Sequence, residues 1–211
     1  MRAFRTVSGA AAPLLLDNVD TDVIIRMSRL TSVKRTELGP YALETLRLLP
    51  DGSENPECVL NQPAFRGAPN LLAGRNFGCG SSREGAVWAL DGSGVRCIIA
   101  SGFGDIFHAN CLQNGVLPID LPPDQVAGLA RQAAGGSPLT IDLEQCLVQA
   151  PDGSRRAFTI DPLKRVMLLQ GVDELTLTLG KRALIDAWRA RDRAARPWLW
   201  QTLADRPASA S

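Results

Sequence analysis

The spacing of apolar and polar positions changes several times along the chain. Residues 95–101 (Val-Arg-Cys-Ile-Ile-Ala-Ser) form a short, β-branched apolar run and predict the clearest strand. Residues 70–74 (Asn-Leu-Leu-Ala-Gly) predict a second buried strand and residues 116–119 a third. Between them, residues 82–90 and 104–114 suit helices. Strand, helix, strand, helix, strand in that order implies an α/β layer with some parallel pairing.

Residues 1–30 read as strand and turn. Asn18-Val19-Asp20-Thr21-Asp22 is a turn cluster, and the β-branched run Val23-Ile24-Ile25 predicts a strand after it. Residues 31–66 look irregular, broken by Gly39-Pro40, Pro50-Asp51-Gly52, Pro56 and Pro63, and a long loop of this kind is usually functional or mobile. Downstream, Pro122-Pro123-Asp124 opens a helix that stops near Gly135-Gly136. Residues 139–160 predict two or three short strands with Asp152-Gly153 as a hairpin turn. Asp161-Pro162 starts another helix, and residues 180–195 form a last one with Leu184 and Trp188 four apart on one face. Without internal repeats or a low-complexity linker, one domain is expected over residues 1–196, with a flexible tail at 197–211.

Composition narrows the function class. With 45% hydrophobic and 21% charged residues, 211 residues can bury one substantial core. A net charge of +1 gives no electrostatic footprint for nucleic acid or an acidic membrane, and no apolar stretch approaches spanning length. Cysteines 58, 79, 97, 111 and 146 are scattered, odd in number and contain no Cys-x-x-Cys pair. That argues against a disulfide framework and a self-contained metal or iron–sulfur site, so no metal is expected in this chain. Reduced thiols in the cytoplasm are expected instead. Arg2 and Arg5 before Gly9–Leu16 imitate a signal peptide, but the run is short, broken by Pro13 and followed at once by Asp17, Asp20 and Asp22.

The segment most informative for chemistry is Asn76-Phe77-Gly78-Cys79-Gly80-Ser81-Ser82-Arg83-Glu84. Gly78 and Gly80 permit a sharp turn and close approach of backbone to a ligand. Ser81-x-x-Glu84 has the form of a capping box, so a helix is expected to begin here. Its exposed N–H groups suit a carboxylate or phosphate. Arg83 in the first helical turn runs against the macrodipole, which hints at a functional reason, since an Arg can grip a carboxylate through two parallel bonds. Two readings fit on this basis: an anion site, or a capped helix after a glycine turn with Arg83 solvated. Cys79 reads as a small neutral filler, and His108, the sole histidine, as a packed or surface side chain.

Gly80-Ser81-Ser82-Arg83-Glu84 resembles the Gly-Ser-Ser-Arg-Glu motif of the swivelling domains of the aconitase superfamily. Asp20-Thr21-Asp22-Val23-Ile24-Ile25 is similar to that domain's N-terminal motif. The stretches 98–107, Asn110 and Asn114-Gly115-Val116-Leu117-Pro118-Ile119 resemble its following strands and helix. The likeness covers residues 13–180, and length and the 36–70 stretch are most similar to the small subunits of bacterial 3-isopropylmalate dehydratases. It implies an α/β fold of the swivelling β/β/α type, three-layered with a mixed, partly parallel sheet.

The resemblance also implies roles. The chain would be one half of a hydro-lyase that moves water on a small dicarboxylic acid, interconverting 2- and 3-isopropylmalate through isopropylmaleate in leucine biosynthesis. A related diacid of the methylated malate or citraconate type is the alternative, and a stand-alone anion-binding module a second. Ser81 would be the catalytic base. Arg35, Ser82, Arg83 and Gly80 would bind substrate, with Asp22, Cys79 and Glu84 supporting the site or the subunit interface. The Lewis acid for hydroxide departure would be a [4Fe–4S] cluster in a large partner subunit, with no cofactor in this chain. Two departures stand out. Where the family continues His-Ala-Pro-Trp-Ala-Leu, this chain has Gly85-Ala86-Val87-Trp88-Ala89-Leu90, and Arg26-Met27 replaces the usual Pro-Lys.

Overall fold

The structure, a computed structural model, describes residues 1–80 and 83–200. Its elements in chain order are β1 (Thr6–Leu14), α1 (Thr21–Ile24), α2 (Met27–Ser32), α3 (Glu44–Arg47), β2 (Asn70–Ala73), α4 (Glu84–Gly92), β3 (Cys97–Ala100), α5 (Asp105–Asn114), β4 (Leu117–Asp120), α6 (Pro123–Gln132), β5 (Pro138–Asp142), β6 (Leu147–Gln149), β7 (Arg155–Ala157), α7 (Pro162–Gln170), α8 (Glu174–Leu179) and α9 (Arg182–Ala195). The chain divides into two compact units, residues 1–172 and 173–211. The second consists, in its described part, of α8, α9 and a turn at Pro197–Leu199; residues 201–211 lie outside the described residues.

In the first unit the strands form one sheet in the order β4-β3-β2-β1-β5-β6-β7. β1 to β4 pair in parallel, and β5 to β7 continue from β1 as an antiparallel meander. The apolar runs make this sheet because both faces are covered. Leu71 and Ile98 face one core with Ala86, Leu90 and Phe107. Their neighbours Leu72 and Ile99 face the other with Leu129, Leu139 and Val148. That period-two division gives the layered, partly parallel architecture implied by the strand–helix alternation. Each fully buried Leu or Ile contributes roughly 1.5–3 kcal/mol relative to leaving it in water.

The Asp152-Gly153 turn forms as expected. Gly153 takes a positive φ of 83°, and the Ala150 N–H donates to the Ser154 carbonyl at 2.9 Å between β6 and β7. Asp161 caps α7 by accepting from the Leu163 and Lys164 amides.

Two local expectations are corrected. Val23-Ile24-Ile25 is not a strand: residues 21–24 are the short helix α1. Asp20 is its N-cap, its carboxylate accepting from the Val23 amide at 2.8 Å. Ile24 and Ile25 are both buried, which a strand with one solvent face could not provide for neighbouring residues. The helix after the glycine turn begins at Glu84, with extended Arg83 as its N-cap, two residues later than the pattern suggests.

The glycine turn rests directly on α5. Gly78 has φ +72°, and a Cβ there would lie 2.1 Å from Phe107 Cγ. Gly78→Ala is therefore expected to lower unfolding free energy by about 2 kcal/mol or more, from left-handed strain plus overpacking. Urea denaturation of the isolated chain measures this, and an unchanged midpoint would contradict the packing described.

Candidate functional site at the carboxyl ends of the parallel strands

In open parallel sheets, ligands bind beyond the carboxyl ends of the strands. Here three such loops follow β1, β2 and β3, and backbone hydrogen bonds lace them together. The Gly78 amide donates to the Val19 carbonyl at 2.7 Å, and the Thr21 amide to the Cys79 carbonyl at 3.1 Å. On the other side, the Phe77 amide donates to Gly102 O at 3.0 Å and the Gly104 amide to Phe77 O at 2.9 Å. Single parallel bridges, Asp20 with Cys79 and Phe77 with Phe103, extend the sheet past its regular strands. Nearer the strand end, the Arg75 amide donates to Asp17 Oδ1 at 2.7 Å and Asn76 Nδ2 to Asn18 Oδ1 at 2.9 Å.

This lacing places most of the residues singled out by the sequence. Gly80 has φ +87° and lies beside Asp20, and Cys79 is half-buried in the laced segment. Asp22, in the first turn of α1, pairs with Arg83 Nη1. Arg83 is thus outside the helix, and a carboxylate balances its charge at the positive end of α4, so the conflict with the macrodipole is relieved. Glu84 occupies the first helical position, which suits its negative charge. Its Oε1 accepts from Asn114 Nδ2 at 2.9 Å. Ser81 and Ser82, on which the capping box and two substrate roles rest, lie outside the described residues.

Arg35 reaches the same region from the irregular segment, where residues Arg35–Glu37 form a single tight turn. Its guanidinium lies over the Trp88 ring, 4.3 Å from the centroid, and Nη2 donates to Asn114 Oδ1 at 3.0 Å. Trp88 Nε1 donates to the same oxygen at 3.0 Å. Arg83 and Glu84, adjacent in the chain, therefore link two clusters: Arg83 with Asp22, and Glu84 with Asn114, Arg35 and Trp88. Sequence reasoning missed the parts of Asn114 and Trp88, because an Asn before Gly at a helix end reads only as a C-terminal signal. It also missed buried Glu44 at the start of α3, which accepts from Arg29 Nε and Nη2 at 3.0 Å and braces α2. Nothing in the local pattern marks that pair.

His108 is partly exposed, 3.6 Å from Asp120 and edge-on to Phe103. Among the described residues, no group of three His, Cys, Asp or Glu side chains is arranged to hold a metal ion. Cys97 and Cys111 are fully buried and burial pushes both thiols up, so neither offers a thiolate. No helix among the described residues is long and apolar enough to cross a membrane.

Residues 1–124 match the aconitase C-terminal domain family, and residues 128–162 match the family described as LeuD_N. A 3-isopropylmalate dehydratase small subunit of Afipia carboxidovorans is 49% identical over 94% of this chain and 100% of its own length. One from Rhodopseudomonas palustris is 48% identical over the same shares. The chain belongs to the 3-isopropylmalate dehydratase small-subunit family, within the aconitase C-terminal domain family. A crystal structure of the 3-isopropylmalate dehydratase leuD of Methanocaldococcus jannaschii matches with a TM-score of 0.62 at 28% identity, covering 87% of this chain and 99% of that one.

Family membership gives the departure at Gly85 a structural reading. Where the family carries His, a Cβ would come within 2.4 Å of Leu30 Cδ2 from α2. Leu30 thus packs over the first turn of α4 because residue 85 has no side chain. Gly85→Ala should forfeit the ~1 kcal/mol that Ala normally adds in a helix. In a Leu30→Ala background the same change should stabilise by about 1 kcal/mol. Equal effects in both backgrounds, by thermal denaturation, would contradict the contact.

Proposed function

We propose that this chain works as the small subunit of a 3-isopropylmalate dehydratase, in complex with a cluster-bearing large subunit. The observation that carries the proposal is the near-complete alignment with small subunits at almost half identity, joined to Arg83 on Asp22 and Arg35 on Asn114 beside the start of α4. Its expected setting is the cytoplasm, in keeping with the free cysteines among the described residues.

The reaction removes a proton from carbon next to a carboxylate and expels hydroxide from the neighbouring carbon. Such a proton is very weakly acidic, so a strong base and electrostatic stabilisation of the doubly negative intermediate are both required. Ser81 takes the role of base, acting as an alkoxide. An alkoxide persists only where positive potential supports it, and Arg83 together with the N-terminus of α4 supplies that potential. Arg35, Arg83 and Ser82 hold the substrate carboxylates, with Gly80 letting the backbone approach closely. When bound in the large subunit, a [4Fe–4S] cluster supplies the Lewis acid for hydroxide departure. Asp22 holds Arg83 in the absence of substrate, and Glu84 fixes the start of the helix.

Co-expression with candidate large subunits under anaerobic conditions tests this, with alkene formation followed by ultraviolet absorbance. Activity on 3-isopropylmalate is expected only when both chains are present, and Ser81→Ala should lower kcat on the order of 10²–10⁴-fold. Preference for citraconate or a methylated malate would move the substrate and keep the mechanism. A folded chain that associates with no cluster-bearing subunit would overturn the proposal.

A further inference from the structure

Asn114, the last residue of α5, lies at the centre of the cluster formed with Arg35, Trp88 and Glu84. Its side-chain amide has four partners. Oδ1 accepts from Arg35 Nη2 and from Trp88 Nε1, each at 3.0 Å. Nδ2 donates to Glu84 Oε1 and to the Asn110 carbonyl, each at 2.9 Å. Guanidinium and indole nitrogens only donate, whereas carboxylate and carbonyl oxygens only accept, so the amide has a single satisfactory orientation. A group held at all four positions cannot rotate without breaking bonds.

Arg35 is otherwise an exposed, long side chain on a tight turn. Trp88 fixes the face of its guanidinium by stacking, and Asn114 fixes the rotation within that plane by accepting from one N–H. The chemistry of the acceptor matters. A carboxylate in this place would neutralise Arg35 and compete with an anionic ligand, as Asp22 does for Arg83. A neutral amide directs the guanidinium and leaves its charge available. Through Nδ2 the same amide grips Glu84, the first residue of α4 and the chain neighbour of Arg83.

We infer that Asn114 is a positioning residue that presets Arg35 for a substrate carboxylate and ties it to the start of α4 at Glu84. The inference rests on the reading of Arg35 as a substrate-binding residue.

The test uses the reconstituted complex with its large subunit and 3-isopropylmalate as substrate, comparing Asn114→Ala, Asn114→Asp, Arg35→Ala and the double variant Arg35→Ala/Asn114→Ala. Asn114→Ala should raise KM on the order of tenfold or more while kcat changes less, because misdirected binding groups lose uniform binding first. In the Arg35→Ala background the same change should alter KM less than about twofold. Asn114→Asp keeps an acceptor towards Arg35 but makes it a carboxylate that neutralises the guanidinium and faces Glu84, so its KM should rise at least as much as that of Asn114→Ala. Asn114→Leu, which keeps the volume, replaces the alanine variant if that one fails to fold or associate. An unchanged KM in Asn114→Ala while Arg35→Ala raises it would overturn the inference alone. So would equal effects of Asn114→Ala in both backgrounds, or an Asn114→Asp variant that keeps the parent's KM. An unchanged KM in Arg35→Ala would remove the substrate role of Arg35, and the inference with it.

Discussion

The arrangement of the site depends on the backbone hydrogen bonds that lace residues 77–79 between the loops after β1 and β3. Parallel strands leave their ends as separate loops, free to move independently unless something couples them. Here the amides and carbonyls of Val19, Thr21, Phe77, Gly78, Cys79, Gly102 and Gly104 pair across the three loops, so the sheet continues beyond its named strands. Gly78 makes this possible: with a positive φ and no Cβ, it lets the turn settle on the Phe107 ring. At the start of α4, Arg83 meets Asp22 in the first turn of α1, and Glu84 meets Asn114 at the end of α5.

The two arginines are restrained by different means, and the difference bears on how the site receives an anion. Arg83 is paired with the exposed carboxylate of Asp22. An exposed ion pair contributes little free energy, so a dianionic substrate can compete for that guanidinium. Arg35 is held by an aromatic face and a neutral amide. Under the proposed substrate roles, binding would exchange a partner at Arg83 and rearrange very little at Arg35. Preorganisation of this kind concentrates binding energy on the reacting geometry.

Much of the scaffold was legible from sequence because its signals are local. The strands at β2, β3 and β4 are short runs of Leu, Ile and Val bounded by Gly or polar residues, and α7 is announced by Asp161-Pro162. The motif around Gly80–Glu84 located the candidate site. What escaped notice depends on tertiary partners. The β-branched run at Val23–Ile25 follows the Asp20 cap and the demand to bury both isoleucines, which override strand propensity. Glu84 has the spacing of a capping box, yet its carboxylate turns to Asn114, thirty residues on in the chain. The space that a side chain at position 85 would need is filled by Leu30 from α2. No single-sequence pattern shows that a residue is missing because another element fills its space.

The central claim is that this chain supplies the carboxylate-binding half of a composite active site. A crystal structure of the complex between this chain and its large subunit, with isopropylmalate bound, tests it most directly. The account predicts Arg35 and Arg83 within hydrogen-bonding distance of substrate carboxylates, with Arg83 released from Asp22 and the Ser81 hydroxyl facing the carbon that loses its proton. A substrate held entirely by side chains of the large subunit, with Arg83 still on Asp22, would contradict it.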